Sequence, residues 1–384
     1  MQSGTVASNG IELFYESRGP ENGEPIVFVM GLSAQMVFWP DTLLDALADK
    51  GYRVIRFDNR DVGKSTRIRK PINQGPIAAI LRSVVSVSVE SAYTLRDMVA
   101  DTVGLLDALN IERAHFVGSS MGGMISQLMA GTHPERVLSL TSIMSSNNSP
   151  LLPPPKPAAL KTLVAPRVKV ETEEQFVAFG LEMMAKLGGT LPQGQDELAA
   201  MYRASWARGI NPRGIRNQFL AIMATGSLTK TLKKIQCPTT VIHGGADPLI
   251  RPAGGKASAR AIRGAKLVII PGMGHDFPPS VIDRIGELIA ETVGLAAMSV
   301  DVTARPESGL GESVQSALQS AGQWCSAMRS INVLEEVEGE VSDRRMGAMN
   351  ILRMGDPWNL TTDVGPVIDE TARQGIQDHI DAAR

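Results

Sequence analysis

Short apolar, β-branched runs alternate with segments of helical periodicity over the first 145 residues. Residues 26–30, Ile-Val-Phe-Val-Met, are apolar without a break, as in a strand covered on both faces of a parallel sheet. Ahead of them, 5–7 and 11–17 flank Asn9-Gly10, a pair suited to the two positive φ angles of a type I′ hairpin turn. Residues 39–49 read as a helix and 53–58 as a strand. From 93 to 109 the apolar positions Leu95, Val99, Leu106 and Leu109 keep helical spacing, with Thr94 as N-cap. A strand at 114–119, a helix from Met121 and a strand at 137–144 continue the alternation. Strand and helix in this succession predict a doubly wound α/β fold with a mostly parallel sheet.

The grammar breaks at Ser145. Residues 145–157, SSNNSPLLPPPKP, form a Pro- and Asn-rich linker into helical sequence that lasts to about residue 232. Segments 173–187 and 196–208 are amphipathic there, and no strand candidate interrupts them. Strand, helix, strand and helix then resume at 239–243, 253–262, 266–270 and 281–292. The expected organisation is an α/β core, 1–144 and 233–294, split by a helical cap at 145–232. A further segment, 295–384, reads as a C-terminal α/β extension.

Composition narrows the function classes. The 384 residues are 43% hydrophobic, ample for a large core, and 38 basic against 40 acidic side chains leave a net charge of −2. That balance gives no electrostatic case for nucleic acid or an anionic membrane surface. Two cysteines, Cys237 and Cys325, make no disulfide framework, and no metal-ligand spacing occurs. The N-terminus lacks a basic segment followed by an apolar run, and no stretch nears ~18 uninterrupted apolar residues. The expectation is a soluble cytoplasmic protein without metal.

The chemistry concentrates in a few loops. Gly118-Ser119-Ser120-Met121-Gly122 joins a predicted strand to a predicted helix, the one context in which Gly-x-Ser-x-Gly has mechanical meaning. The sharp turn presents the Ser120 hydroxyl above the sheet, and Gly118 and Gly122 leave room for the backbone. The bland alternative is a small-residue turn needed only for packing. Ser120 needs a base and a group to orient that base. Of the histidines, His115 lies inside a strand, His133 at a helix end, His243 at a strand end before Gly244-Gly245, and His379 beyond the sheet. His275 falls in Pro-Gly-Met-Gly-His, a loop directly after a strand, where α/β sites form, and is the expected base. Asp247, in His-Gly-Gly-Ala-Asp-Pro, is the expected acid. Asp276, as the chain neighbour of His275, is poorly placed to reach that ring. Backbone N–H groups of Met121 and Leu32 are the expected oxyanion donors. The order Ser120, Asp247, His275 is that of the α/β-hydrolase triad.

With these residues in place, the chain over about 5–293 resembles the α/β-hydrolase superfamily, and within it aclacinomycin methylesterase-like bacterial esterases. The resemblance rests on MGLSAQMVFWP (30–40), RVIRFDNRDVGKS (53–65), GSSMGG (118–123), HGGADPLI (243–250) and PGMGHDFPP (271–279). It implies hydrolysis of a small-molecule carboxylic ester through an acyl-serine, with no cofactor. It also implies a structural role for the 58–65 turn, with Arg60 and Asp61 bracing loops beneath the site. Thioesterase, lactonase, perhydrolase and carbon–carbon hydrolase chemistry use the same serine. Met30, Phe38, Trp39 and Met223, with Met121, Met183 and Met184, are candidates for an apolar substrate pocket, the alternative being plain core.

From about residue 297 the sequence changes character. GQWCSAM (322–328) and GDPWNLTTDVGPVID (355–369) resemble the aldehyde dehydrogenase superfamily, especially the pyrroline-5-carboxylate dehydrogenase part of bifunctional proline-oxidising enzymes. Cys325 stands at that family's nucleophile position. The family's dinucleotide-binding region and general-base Glu precede this part of its fold and have no counterpart here. The expectation is a fused fragment without dehydrogenase activity. Its apolar Val314, Leu318, Ile351 and Leu352 call for cover by the hydrolase surface or a second subunit, as in a homo-oligomer, or else for local disorder.

Overall fold

The structure, a computed structural model, describes residues 2–85, 87–164, 170–295 and scattered positions between 298 and 377. It divides into two compact units, Met1–Thr292 and Val293–Arg384. The first is built on an eight-stranded sheet. Its strands are β1 (Gln2–Ser8), β2 (Ile11–Arg18), β3 (Pro25–Val29), β4 (Arg53–Phe57), β5 (Ala114–Ser119), β6 (Val137–Ile143), β7 (Thr239–Gly244) and β8 (Lys266–Ile270). They lie in the order β1-β2-β4-β3-β5-β6-β7-β8. The β1–β2 and β2–β4 pairs are antiparallel, and every later pair is parallel.

The first hairpin turns at Asn9 and Gly10 with φ of 47° and 76°, the two positive angles that this dipeptide supplies. The central strands are covered on both faces: every residue of β5 and β7 is buried, as is β3 after Pro25. Chain order reverses around β3, since β4 lies on one side of it and β5 on the other. The crevice beyond the carboxyl ends of β3 and β5 is therefore the topological switch point of the sheet.

Helices α1 (Asp41–Ala48), α2 (Pro76–Val84), α3 (Leu95–Ala108) and α4 (Met121–Thr132) belong to the first half of this unit. Thr94 caps α3: its side chain accepts from Arg96 N–H, and Asp97 reaches back to the Thr94 backbone. The helix expected over 39–49 is shorter, because Pro40 precedes its first turn. Helix α2 has no counterpart in the sequence reading; its apolar Ile77, Leu81 and Val84, at i, i+4 and i+7, are exposed and not packed in the core.

Between β6 and β7 the elements of the described residues are all helices: α5 (Pro157–Val164), α6 (Glu173–Leu187), α7 (Gln195–Ala207), α8 (Pro212–Thr225) and α9 (Thr229–Leu232). Two more follow, α10 (Ala253–Ala261) and α11 (Ile282–Val293). Ile285, Leu288, Ile289 and Ala290 of α11 are fully buried, and Thr292 Oγ1 donates to Thr240 Oγ1 of β7 at 2.7 Å.

In the second unit, β9 (Met298–Val300) and β10 (Ile331–Val333) pair in parallel. Leu352 is half-buried there, and its N–H donates to the Met349 carbonyl at 3.2 Å. Val314, Leu318, Cys325 and Ile351 lie outside the described residues. Among the described residues no helix is long and apolar enough to cross a membrane.

Candidate active site

Ser120 sits between β5 and α4 with φ 53° and ψ −117°, a conformation that residues bearing a Cβ seldom adopt. The packing around it demands this turn. A Cβ on Gly118 would stand 2.3 Å from the Gly122 carbonyl oxygen, and one on Gly122 would stand 1.9 Å from that of Val29. Only glycine at both places lets α4 start directly over β3 and β5. The elbow is then tied down: Ser120 N–H donates to Ile143 O at 2.9 Å, and Ser145 Oγ donates to Ser120 O at 2.7 Å.

His275 arrives on the loop after β8, with Nε2 3.0 Å from Ser120 Oγ. Its Nδ1 lies 2.8 Å from Oδ2 of Asp247, which follows β7. The other oxygen, Oδ1, accepts the N–H groups of Leu249 and Ile250 at 2.8 and 2.9 Å, so the turn after Pro248 aims the carboxylate. Asp247 is buried, which strengthens its charge on the imidazole. Behind it, His243 Nε2 donates to Ile250 O at 2.7 Å. Burial pushes the His243 pKa down, against the opposing pull of Asp247. The shift favours the neutral imidazole at His243, whose Nε2 lies 3.5 Å from Asp247 Oδ2.

Asp276 does not face the imidazole. Its oxygens accept Gln193 Nε2 at 2.8 Å and Gly274 N–H at 3.1 Å. Burial pushes its carboxyl above the ordinary range, partly offset by those two donors. Gln193 belongs to the helical insertion, which meets the histidine loop elsewhere too. His275 N–H donates to Leu187 O, and Thr190 N–H to Gly272 O, both at 2.8 Å. Of the other histidines, His115 is buried with Nδ1 2.7 Å from Ser139 Oγ, and His133 Nδ1 lies 2.9 Å from Thr132 Oγ1. His379 is outside the described residues.

The loop after β3 passes directly against Ser120. A Cβ on Gly31 would stand 3.0 Å from Ser120 Cβ and 3.6 Å from Ser120 Oγ. This loop is held by the 58–65 turn: Asn59 Nδ2 donates to Met30 O, and Met36 N–H donates to Asp58 Oδ1, each at 2.9 Å. Asp58 is fully buried and paired with Arg208 of the insertion. Arg60 pairs with Asp101 at 2.5 Å, and Asp61 accepts from Tyr93 Oη at 2.7 Å and Asn217 Nδ2 at 3.0 Å.

Ser120 and His275 open on a cavity of about 2140 Å³, walled by core and insertion together. Met30, Leu32, Phe38, Met121, Met183, Met184 and Met223 line it. Trp39 does not, and the pocket expectation is corrected there. Its ring is fully buried between Phe28 and Phe277, at centroid distances of 4.9 and 5.2 Å. Adjacent aromatic residues after a loop point to opposite sides, and periodicity alone does not say which one faces the cavity. Arg208, Gln193 and Gln218 also lay beyond sequence reasoning. Gln218 is an ordinary polar residue on α8, Arg208 stands just past the end of α7 and Gln193 in the loop before it, all without a local motif.

Residues 24–278 match the alpha/beta hydrolase fold family, and residues 279–384 match the aldehyde dehydrogenase family. The rhodomycin D methylesterase of Streptomyces peucetius is 25% identical over 308 residues, covering 75% of this chain and 97% of that protein. The bifunctional protein PutA of Klebsiella aerogenes is 48% identical over 97 residues, 25% of this chain but only 7% of PutA. Among solved structures, the enol-lactonase from Burkholderia xenovorans LB400 superposes with a TM-score of 0.57 at 25% identity, over 76% of this chain and 99% of that one. The aldehyde dehydrogenase match begins at 279, ahead of the expected 297, and takes in α11. The fold nevertheless assigns α11 to the first unit, through its buried apolar side and the Thr292–Thr240 bond.

Proposed function

The chain belongs to the α/β-hydrolase fold family, and on that premise we propose that it is a serine carboxylesterase. The observation that carries the reading is the relay from Ser120 through His275 to Asp247, at 3.0 and 2.8 Å, on the wall of a large apolar cavity. His275 Nε2 takes the Ser120 proton as Oγ attacks the ester carbonyl. Asp247 holds the ring with Nδ1–H toward its carboxylate and stabilises the imidazolium. The N–H groups of Met121, at the start of α4, and of Leu32 receive the oxyanion. His275 then gives its proton to the leaving alcohol, and a water deprotonated by the same nitrogen hydrolyses the acyl-serine. Similarity to a methylesterase along almost its whole length supports an ester as substrate.

A second reading, lactone hydrolysis, is favoured by the likeness to the enol-lactonase. The steps are the same, except that the leaving alcohol stays tethered to the acyl group. One experiment addresses both. Purified protein is assayed with p-nitrophenyl esters and with aliphatic lactones, and Ser120 is titrated with a fluorophosphonate. Turnover of open-chain esters with a higher kcat/KM than lactones, together with label on Ser120, is the expected result. Label on another residue, or equal turnover by Ser120→Ala, would sink the assignment.

A further inference from the structure

We propose that Gln218 is a positioning residue for the oxyanion pocket, acting from the helical insertion on the loop after β3; this rests on the serine-hydrolase reading above. Gln218 is fully buried on α8, and its amide bridges two core segments. Nε2 donates to the Arg60 carbonyl at 2.8 Å, and Oε1 accepts the Ser33 N–H at 2.9 Å across 185 residues of sequence. Ser33 has φ +66°, a left-handed conformation that a residue with a Cβ holds only when its surroundings require it.

The consequence follows from three consecutive peptide planes. The plane between Met30 and Gly31 is fixed at its oxygen by Asn59 Nδ2. The plane between Leu32 and Ser33 is fixed at its N–H by Gln218 Oε1. The plane between them carries the Leu32 N–H, and it lies against Ser120, since a Cβ on Gly31 would sit 3.6 Å from Oγ. Peptide planes are rigid, so with both neighbours held the middle plane keeps only the concerted rotation about Gly31 ψ and Leu32 φ, and the bridge restricts the directions open to its N–H. The loop's own sequence, Met30-Gly31-Leu32-Ser33, offers no side chain that takes the Ser33 N–H in this structure; the acceptor comes from α8. The other end of the bridge is firm as well, because Arg60 is locked to Asp101. The insertion thus sets the aim of a transition-state donor in addition to walling the cavity.

Gln218→Met keeps the length of the side chain and removes both hydrogen bonds. Its kcat for p-nitrophenyl esters is expected to fall by about tenfold to a hundredfold, the scale of a misaimed or lost oxyanion donor. KM should stay near the wild-type value, and fluorophosphonate labelling of Ser120 should slow in step with kcat. Gln218→Glu retains an acceptor for the Ser33 N–H and should recover part of the kcat. A purely structural role would lower Tm and leave kcat intact at temperatures where the protein is folded. Wild-type kcat in Gln218→Met, or a loss confined to KM, would overturn the inference. If Gln218→Met does not fold, Gln218→Asn, too short to span both partners, is read by the same criteria. Loss of hydrolysis in Ser120→Ala and label on Ser120 test the underlying reading separately. If they hold while Gln218→Met keeps its kcat, only the role of Gln218 falls.

Discussion

The α/β core and the helical insertion between β6 and β7 both face one cavity, and they contribute to it in different currencies. Core residues with chemistry stand on short loops at strand ends, each aimed by its own turn: Ser120 by a positive φ, Asp247 by the N–H groups of Leu249 and Ile250. Insertion residues supply no reacting atom in the proposed mechanism. They wall the cavity and reach back into the core through polar side chains, half-buried in Arg208 to Asp58 and Gln193 to Asp276 and fully buried in Gln218 to Ser33. The difference teaches that the sheet locates the chemistry, and the insertion sets how tightly the surrounding loops are held.

The largest effects should come from the core. Ser120→Ala is expected to lower ester hydrolysis by about 10⁴- to 10⁶-fold, with His275→Ala close behind and Asp247→Asn down by about 10⁴-fold. Circular dichroism should be unchanged, since none of these side chains fills the core. Activity near the wild-type level in the three variants would show that the relay is not the machinery.

The next effect belongs to the insertion and is read in stability. Arg208→Met leaves the fully buried Asp58 carboxylate without its cation, and stranding one partner of a buried pair costs about 3–5 kcal/mol. Tm should drop by several degrees, and adding Asp58→Asn should restore part of it. Equal Tm for Arg208→Met and wild type would remove Arg208 from the set of anchors.

A smaller, pH-dependent effect is expected where the two regions meet at Asp276. Burial raises its folded-state pKa above the ordinary 3.8, so the native state holds this proton to higher pH than the unfolded chain. In the window from that ordinary value up to the raised one, stability should therefore fall as pH rises. Urea midpoints of wild type and Asp276→Asn, compared from acid to neutral pH, should carry this slope in their difference. Parallel curves would mean that Asp276 titrates normally.

The smallest effect is expected outside both regions. Cys325→Ala should leave ester turnover at the wild-type level, because the proposed chemistry uses only residues of the first unit. Loss of ester hydrolysis in this variant, or aldehyde-dependent reduction of NAD by the intact chain, would bring the C-terminal segment into the function.

Much of this was legible before any coordinates. Asn9-Gly10, the unbroken 26–30 run, Gly118-x-Ser120-x-Gly122 and the strand-end positions of Asp247 and His275 are local signals, and local sterics fix what they do. Trp39 shows the limit, since its neighbour Phe38 lines the cavity while Trp39 fills the core, and both are large aromatics after the same loop. The boundary after α11 shows another. Family similarity assigns α11 to the C-terminal segment, while burial assigns it to the first unit.

The sequence by itself determined the order of elements, the elbow at Ser120 and the strand-end positions of Asp247 and His275, because each depends on residues within a turn of one another. Only the tertiary structure decided that Ser120 and His275, 155 residues apart, stand at hydrogen-bond distance. It also decided which polar residues of the insertion become anchors. A glutamine on a helix has no local signature of its task; Gln218 acquires one only when packing buries it between the Arg60 carbonyl and the Ser33 N–H, where a polar group must find partners.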